Sequence, residues 1–214
     1  LWFSKSSFMN TCTVCKSSNI DFFLKSGKLL YWGCNVCGSK FLDPRNYVSI
    51  SDEKKHYLKH NNSITDLNYK NFLLKLIEPV KDKISTSDIS LDYGCGFAPA
   101  LANIFKKYGF KVELYDPFFF PNKDVLLKKY KFITCSEVVE HFFNPCDEFD
   151  KINNLLDDNS WLGVMTTFLP NDELFENWYY RRDPTHVVFY TKKTFQHIGN
   201  QRNWQVFFPS ENIV

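Results

Sequence analysis

Leu91-Asp92-Tyr93-Gly94-Cys95-Gly96 decides the fold of this chain. It reads as the end of a buried strand, an acid, and a turn tight enough to need two glycines, and a helical stretch follows from Pro99 to Tyr108. A strand that passes through a Gly-rich turn into a helix N-terminus builds a nucleotide-cofactor pocket. A dinucleotide fingerprint would continue as G-x-G-x-x-G, but the third glycine position holds Pro99. The acid also precedes the glycines, placed to meet a positive or hydroxylated group.

Outward from this turn, strands and helices alternate, which predicts a parallel sheet. The strands are expected at Ile89–Tyr93, Lys111–Tyr115, Lys131–Cys135 and Trp161–Thr167. The helices are expected at Ala100–Tyr108 (closed by Gly109), Asp147–Leu156 and Asp172–Tyr180, with a last one capped by Thr191, running through Ile198 and closed by Gly199. Trp204–Phe208 would open a final hairpin. Asp116 ends the second strand twenty residues past Gly96, the separation at which an acid accepts hydrogen bonds from both hydroxyls of a ribose. Between Asp116 and Lys131 there is little room for a further helix and strand. Asp124 is the one acid in that stretch, and the run Phe118-Phe119-Phe120 either packs against the sheet edge or lines the cofactor pocket.

Seven cysteines stand at 12, 15, 34, 37, 95, 135 and 146. Cys12-x-x-Cys15 and Cys34-x-x-Cys37 have the two-knuckle spacing of a four-thiolate zinc site, in which each turn aims two sulfurs at one tetrahedral ion with no open position. Gly38 suits the turn after the second knuckle, and Ile20–Leu24 with Lys28–Trp32 around Ser26-Gly27 reads as a hairpin. The expected module is a zinc ribbon whose metal is structural. An odd cysteine count and the lack of a secretory signal argue against disulfides and for a cytoplasmic protein. Cys95, Cys135 and Cys146 read as small buried residues.

These signals divide the chain into a zinc ribbon over 9–45, a helical linker or cap over 46–85 and a cofactor-binding domain over 86–214. Residues 51–60 predict a helix with Ser51 as its N-cap, and residues 66–78 a second one begun by Asp66 and ended by Pro79. Leu1–Phe8 reads as an addition or an over-extended start, because Met9 opens a more natural beginning.

Asp-x-Gly-x-Gly, here Asp92-Tyr93-Gly94-Cys95-Gly96, resembles motif I of the class I S-adenosylmethionine-dependent methyltransferases. Ser136-Glu137-Val138-Val139-Glu140-His141, followed by Asn144-Pro145, is similar to the segment after the fourth strand of that superfamily, and Trp161–Thr166 to its fifth strand. Trp178–Val187, with the cysteine knuckles, resembles a segment of a bacterial group of zinc-ribbon methyltransferases. The resemblance covers most of the chain. It implies a Rossmann-like α/β fold, S-adenosylmethionine as methyl donor, and a donor pocket formed by Asp92, Tyr93, Gly94, Gly96, Asp116, Pro117, Ser136 and Glu137. Helices ahead of motif I commonly cover that pocket, so His60, Asn61 and Tyr69 could touch the ligand.

Methyl transfer needs donor and acceptor aligned and, for some acceptors, a proton removed. Histidine titrates nearest neutral pH, so His186 and His141 are the candidate bases. His186 lies in a loop after a strand, where acceptor pockets form. Tyr179 and Tyr180 could shape that site. Asn144-Pro145-Cys146 only faintly resembles the Asn-Pro-Pro-aromatic motif of amino-methylating enzymes and reads as a helix start with Pro near N1.

The 26 Lys and Arg against 24 Asp and Glu leave a net charge of +2, which gives RNA little support as a partner. A small molecule or glycan precursor is the expected acceptor. The 44% hydrophobic content suffices for a core, with no apolar run long enough to span a bilayer. The 22 Phe accompany abundant Lys, Asn and Ile, so coding bias accounts for them. The competing reading is a zinc-ribbon module that binds RNA or protein and carries a vestigial cofactor domain. The complete set Asp92, Gly94, Gly96 and Asp116 weighs against it, and Pro99 against hydride transfer.

Overall fold

The computed structural model describes residues 10–59 and 67–214, with the side chains of residues 67–69 left out. Leu1–Phe8, His60 and Asn61 therefore lie outside the described residues, as does the side chain of Tyr69. Two four-stranded sheets organise the described chain. The first is antiparallel and joins β1 (Ile20–Ser26), β2 (Leu29–Cys34), β3 (Lys40–Leu42) and β8 (Val188–Phe189) in that order. The second holds β4 (Ile89–Tyr93), β5 (Lys111–Tyr115), β6 (Tyr130–Ser136) and β7 (Leu156–Met165) in the order β5-β4-β6-β7, with every neighbouring pair parallel. The helices are α1 (Ile50–Tyr57), α2 (Leu67–Ile77), α3 (Ala100–Lys107), α4 (Pro145–Leu155) and α5 (Lys192–Gln201).

The period-two alternation of β6 sorts the core onto two faces. Phe132 faces Leu73, Leu76 and Ile77 of α2 and Leu101, Ile104 and Phe105 of α3. Ile133 and Cys135 face the opposite layer, with Phe149 and Ile152 of α4 and Phe195 and Ile198 of α5. Each fully buried large side chain of this kind contributes about 1.5–3 kcal/mol. The segment 116–129 carries no strand, only an Asp116↔Phe120 bridge and a 3-10 turn over Lys123–Leu127, in keeping with the shortage of residues there.

The four cysteines of the N-terminal module share one core with Phe189, Tyr190 and Phe195. The first sheet also crosses the boundary expected between ribbon and cofactor domain. β3 pairs with β8 (Lys40↔Phe189, Phe41↔Val188), and Leu42 N–H donates to Val187 O at 2.8 Å. Lys40 reaches Asp172 at 2.9 Å, and Tyr31, Phe175 and Phe189 stack edge to face or tilted across the seam.

Four local expectations are corrected. Helix α1 is capped by Ser49, not Ser51, because Ser49 Oγ accepts Asp52 N–H and donates to the Asp52 carboxylate. No helix forms over Asp172–Tyr180, where two short 3-10 turns, Phe175–Asn177 and Tyr179–Arg182, flank an extended Trp178. There Arg181 satisfies the Phe175 and Glu176 carbonyls, and Tyr180 turns inward to a buried carboxylate. Helix α5 runs on to Gln201 with Gly199 in its last turn, where Val206 packs against it. Trp204–Phe208 forms no strand. Instead Val164 and Val214 exchange backbone hydrogen bonds, and Thr166 N–H donates to Asn212 O, so the segment 212–214 lines the free edge of β7. Among the described residues no helix is long and apolar enough to cross a membrane.

Candidate active site

A cleft of ≈ 950 Å³ opens at the carboxyl ends of β4, β5 and β6. Its floor is the motif that opened the sequence. Gly94 (φ +81°) and Gly96 (φ +64°) adopt left-handed backbone that other residues rarely take. A Cβ on Gly94 would also lie 2.5 Å from Val138 Cγ1, so the loop after β6 packs directly on this turn. A Cβ on Gly96 would meet nothing within 4 Å, because that position faces the open cleft.

Asp92 is buried at the end of β4. One carboxylate oxygen accepts the Thr134 hydroxyl at 3.0 Å, and the carboxylate also takes the Ala102 amide of the first turn of α3, whose own N-cap, Pro99, offers no side-chain bond. Burial pushes its pKa up to about 7, the hydrogen bonds from Thr134 and Ala102 pull it down, and the nearby charge of Asp116 raises it further. Asp116 is held by three backbone amides. Gly96 N–H donates to Oδ2 at 3.0 Å, and Phe118 and Phe119 N–H donate to Oδ1 at 2.8 and 3.0 Å. Two buried carboxylates thus face the same cleft, an acceptor set suited to a ligand with positive charge and hydroxyls.

All eight residues expected at the donor pocket, Asp92, Tyr93, Gly94, Gly96, Asp116, Pro117, Ser136 and Glu137, line this one cleft. Tyr93 does so with its hydroxyl committed to Glu148 of α4 at 2.6 Å. Phe118 and Phe119 line it too, whereas Asp124 sits exposed at the start of its 3-10 turn, away from the lining. Cys135 is buried as expected, but Cys95 and Cys146 are only half-buried, and Cys95 edges the cleft. Asn144-Pro145 starts α4 with Pro in its first turn.

The other end of the cleft is polar. His141 and His186 come together there with ring centroids 4.7 Å apart. His141 Nδ1 lies 3.0 Å from Thr185 O and His186 Nδ1 2.8 Å from Tyr180 O, so each ring holds its proton on Nδ1. Burial, and after it the neighbouring His141, lowers the His186 pKa to about 4, which keeps that ring neutral. Behind them Glu140 is fully buried, accepting Tyr180 OH at 2.6 Å and Thr166 Oγ at 3.0 Å. Tyr180 also stacks tilted on His186 at 4.1 Å, and Tyr179 stands exposed at the rim.

Helix α1 roofs the cleft with two residues that sequence reasoning missed, Glu53 and Tyr57. They are spaced i,i+4, Tyr57 OH donates to Glu53 at 2.8 Å, and Tyr57 packs on Phe118 and His141. His56 on the same helix meets Asp183 at 3.0 Å, which ties the roof to the loop that carries His186. The spacing of Glu53, His56 and Tyr57 on one helical face was the available signal.

The four knuckle cysteines are buried with their sulfurs within 4.8 Å of one another. Cys12 and Cys37 are 3.7 Å apart and Cys15 and Cys34 3.5 Å, close to the ~3.8 Å edge of a tetrahedron with ~2.3 Å zinc–sulfur bonds. Val14 N–H and Cys37 N–H point at Cys12 and Cys34 sulfurs, the arrangement a thiolate needs. The donor set fits a tetrahedral soft or borderline cation such as Zn²⁺.

Comparison with known proteins places this geometry. The methyltransferase domain family matches residues 66–207. Among solved structures, the chain is similar to the Burkholderia thailandensis 1,6-didemethyltoxoflavin-N1-methyltransferase, seen with 1,6-didemethyltoxoflavin and S-adenosylhomocysteine (9% identity, TM-score 0.50, covering 84% of this chain and 86% of that one). It is also similar to an S-adenosylmethionine-dependent methyltransferase of Thermotoga maritima (14%, TM-score 0.43, 76% and 84%) and to the YcgJ protein of Bacillus subtilis (16%, TM-score 0.43, 60% and 67%). No protein of curated function matches the chain in sequence. With a family match over about two thirds of its length and the Rossmann-like parallel sheet, the chain belongs to the methyltransferase domain family and is an S-adenosylmethionine-dependent methyltransferase.

Proposed function

We propose that this protein transfers the methyl group of S-adenosylmethionine to a small-molecule or glycan-precursor acceptor, with Asp92, Tyr93, Gly94, Gly96, Asp116, Pro117, Ser136 and Glu137 holding the donor. The observation that carries the reading is the convergence of the motif I turn, both acids and the two histidines on one cleft. Asp116 supplies the ribose acceptor and Asp92 faces the cationic end of the donor. The aromatic pair Phe118 and Phe119 offers a surface for the adenine.

Methyl transfer is an in-line displacement in which the sulfonium charge disappears, so the chain acts chiefly by alignment and by excluding water. The α1 roof, with Glu53 and Tyr57, serves both. His186 and His141 meet the proton-bearing atom of the acceptor, each with its Nδ1 proton fixed on a carbonyl. A zinc ion in Cys12, Cys15, Cys34 and Cys37 would hold the ribbon that braces β8 and the loop before it.

Calorimetry with S-adenosylhomocysteine, followed by an acceptor screen with labelled methyl donor, tests the reading. Micromolar binding and label transfer to a small molecule are expected. Absence of binding would instead favour a protein- or RNA-binding module with a vestigial pocket.

A further inference from the structure

We propose that a second cavity, at the seam between the first cysteine knuckle and the start of α4, binds a neutral hexose ring of the acceptor. Its volume is ≈ 320 Å³, enough for one small ring. Phe143 and Asn144 line it and line the main cleft as well, so a ligand seated here would neighbour whatever occupies that cleft. Three chain segments build its walls, and protein contacts hold each of them. Cys146 N–H donates to Thr13 O at 3.2 Å, which seats the knuckle on the first turn of α4. The Asp43 carboxylate takes Trp32 Nε1 at 2.9 Å and the Arg45 amide at 3.0 Å, which fixes the start of the segment Pro44–Tyr47. Tyr47 then packs tilted on Phe143 with ring centroids 4.7 Å apart, joining this segment to the loop before α4.

The polar groups of the lining say what the ligand offers. Thr13 is only 8% exposed, and its hydroxyl is buried with no hydrogen-bond partner among the described residues. The Tyr47 hydroxyl is in the same position. Of the four buried side-chain atoms left unpaired among the described residues, two thus belong to residues of this one cavity. A buried hydroxyl without a partner is destabilising, so a pair of them calls for a ligand that supplies the missing bonds. Asn144 stands at the N-cap of α4 yet gives that helix no side-chain hydrogen bond, which leaves its amide a donor and an acceptor for a ligand. Lys16 is the one Lys, Arg, Asp or Glu in the lining, and Asp147 pairs it at 3.1 Å. An ionic ligand would therefore find no open counter-charge. Hydroxyls and an amide beside Tyr47, Phe143 and Pro44 suit a sugar ring, whose hydroxyls both give and accept while its C–H face packs on apolar surface. The inference rests on the methyl-transfer reading only in taking this sugar to be part of the acceptor.

The test applies saturation-transfer NMR to the zinc-loaded protein with the methyl glycosides of glucose, galactose, mannose and N-acetylglucosamine. At least one should bind saturably in the millimolar range, as expected of a single small ring. Tyr47→Phe and Thr13→Val, which remove the two hydroxyls, should each weaken that binding roughly fivefold or more. Their melting temperatures should stay level or rise, because each variant loses an unpaired buried hydroxyl and no hydrogen bond. No binding of any of the glycosides, or binding unchanged in both variants, overturns the proposal. A marked fall in melting temperature in both variants overturns it too, since the hydroxyls would then be spent inside the fold. S-adenosylhomocysteine binding, measured on the same samples, should not differ between the variants and the parent, as neither Thr13 nor Tyr47 lines the main cleft. Its absence from all of them would strike the methyl-donor reading alone, because glycoside binding needs no donor.

Discussion

Asp116 reaches back across the turn to Gly96, whose N–H donates to its Oδ2 at 3.0 Å, while its Oδ1 takes the amides of Phe118 and Phe119. The carboxylate therefore fixes the cleft floor and the aromatic wall as well as facing the ligand. Oδ1 is filled by its two amides, whereas Oδ2 keeps a lone pair for a hydroxyl. Asp116→Ala should weaken S-adenosylhomocysteine binding roughly ten- to a hundredfold, since stranding a buried partner costs about 1–3 kcal/mol. Asp116→Asn can still accept the Phe118 and Phe119 amides. It should keep most of the melting temperature while losing much of the affinity, and equal losses in both would show that the residue is structural only. Calorimetry and thermal melts on both variants decide this.

The two glycines of the same turn should fail in different ways. Gly94→Ala combines left-handed backbone with a Cβ 2.5 Å from Val138, so strain and overpacking each add about 1–3 kcal/mol. It should lower the melting temperature by several degrees, and Val138→Ala should recover part of that. Gly96→Ala meets open space and pays only for its φ, but its methyl projects into the cleft. There the melting temperature should fall less than in Gly94→Ala, and cofactor affinity more. Thermal melts beside calorimetry separate the pair.

What the sequence made legible was local. The motif I turn depends on a run of six residues, and the cysteine knuckles on spacing alone, so both can be read from the chain itself. That β4, β5, β6 and β7 run parallel followed from the alternation of elements, whereas their order in the sheet did not. Tertiary contacts decided the rest. Residues 172–180 have helix-compatible composition, yet Tyr180 is pulled to Glu140 and Phe175 into the core, and the helix gives way to 3-10 turns. The pairing of β3 with β8 joins Phe41 to Val188 across the length of the cofactor domain, a contact no window of sequence carries. Glu53 was visible only as a charge in a first turn, because the cleft that buries it is built by other elements.

Removing zinc should uncouple acceptor chemistry from donor binding. Structural zinc contributes about 10–16 kcal/mol in modules of this kind, so a chelator or Cys34→Ser should melt residues 12–42. The loss of β3 frees β8, and with it Val187, whose amide holds Glu140 O and whose carbonyl takes Leu42 N–H. Asp92, Gly94 and Asp116 lie on the other sheet and should keep binding S-adenosylhomocysteine within a few-fold. Methyl transfer should be lost. Full retention of hydrogen-exchange protection over 12–42 after chelation, with no metal by elemental analysis, would exclude a structural zinc there.

Cofactor affinity should rise with pH through neutrality, and Asp92 sets the window. In the free protein burial lifts its pKa from the ordinary 3.8 to about 7. The folded chain therefore holds this proton more tightly than the unfolded chain, and the contribution of Asp92 to stability declines as pH rises from about 4 towards 7, then levels off. Binding of a cationic donor runs the other way. A sulfonium or ammonium group near the carboxylate favours its charged form, so the donor must expel a proton to bind below about pH 7. Affinity for S-adenosylmethionine should fall up to tenfold per pH unit below that point and flatten above it, with proton release seen as a buffer-dependent enthalpy in calorimetry. Glu137, raised by burial to about 9, stays protonated across the same window and does not contribute. Asp92→Asn should bind more weakly at pH 8 and lose the slope between pH 5 and 7. A slope that persists in Asp92→Asn would move the titration to another group.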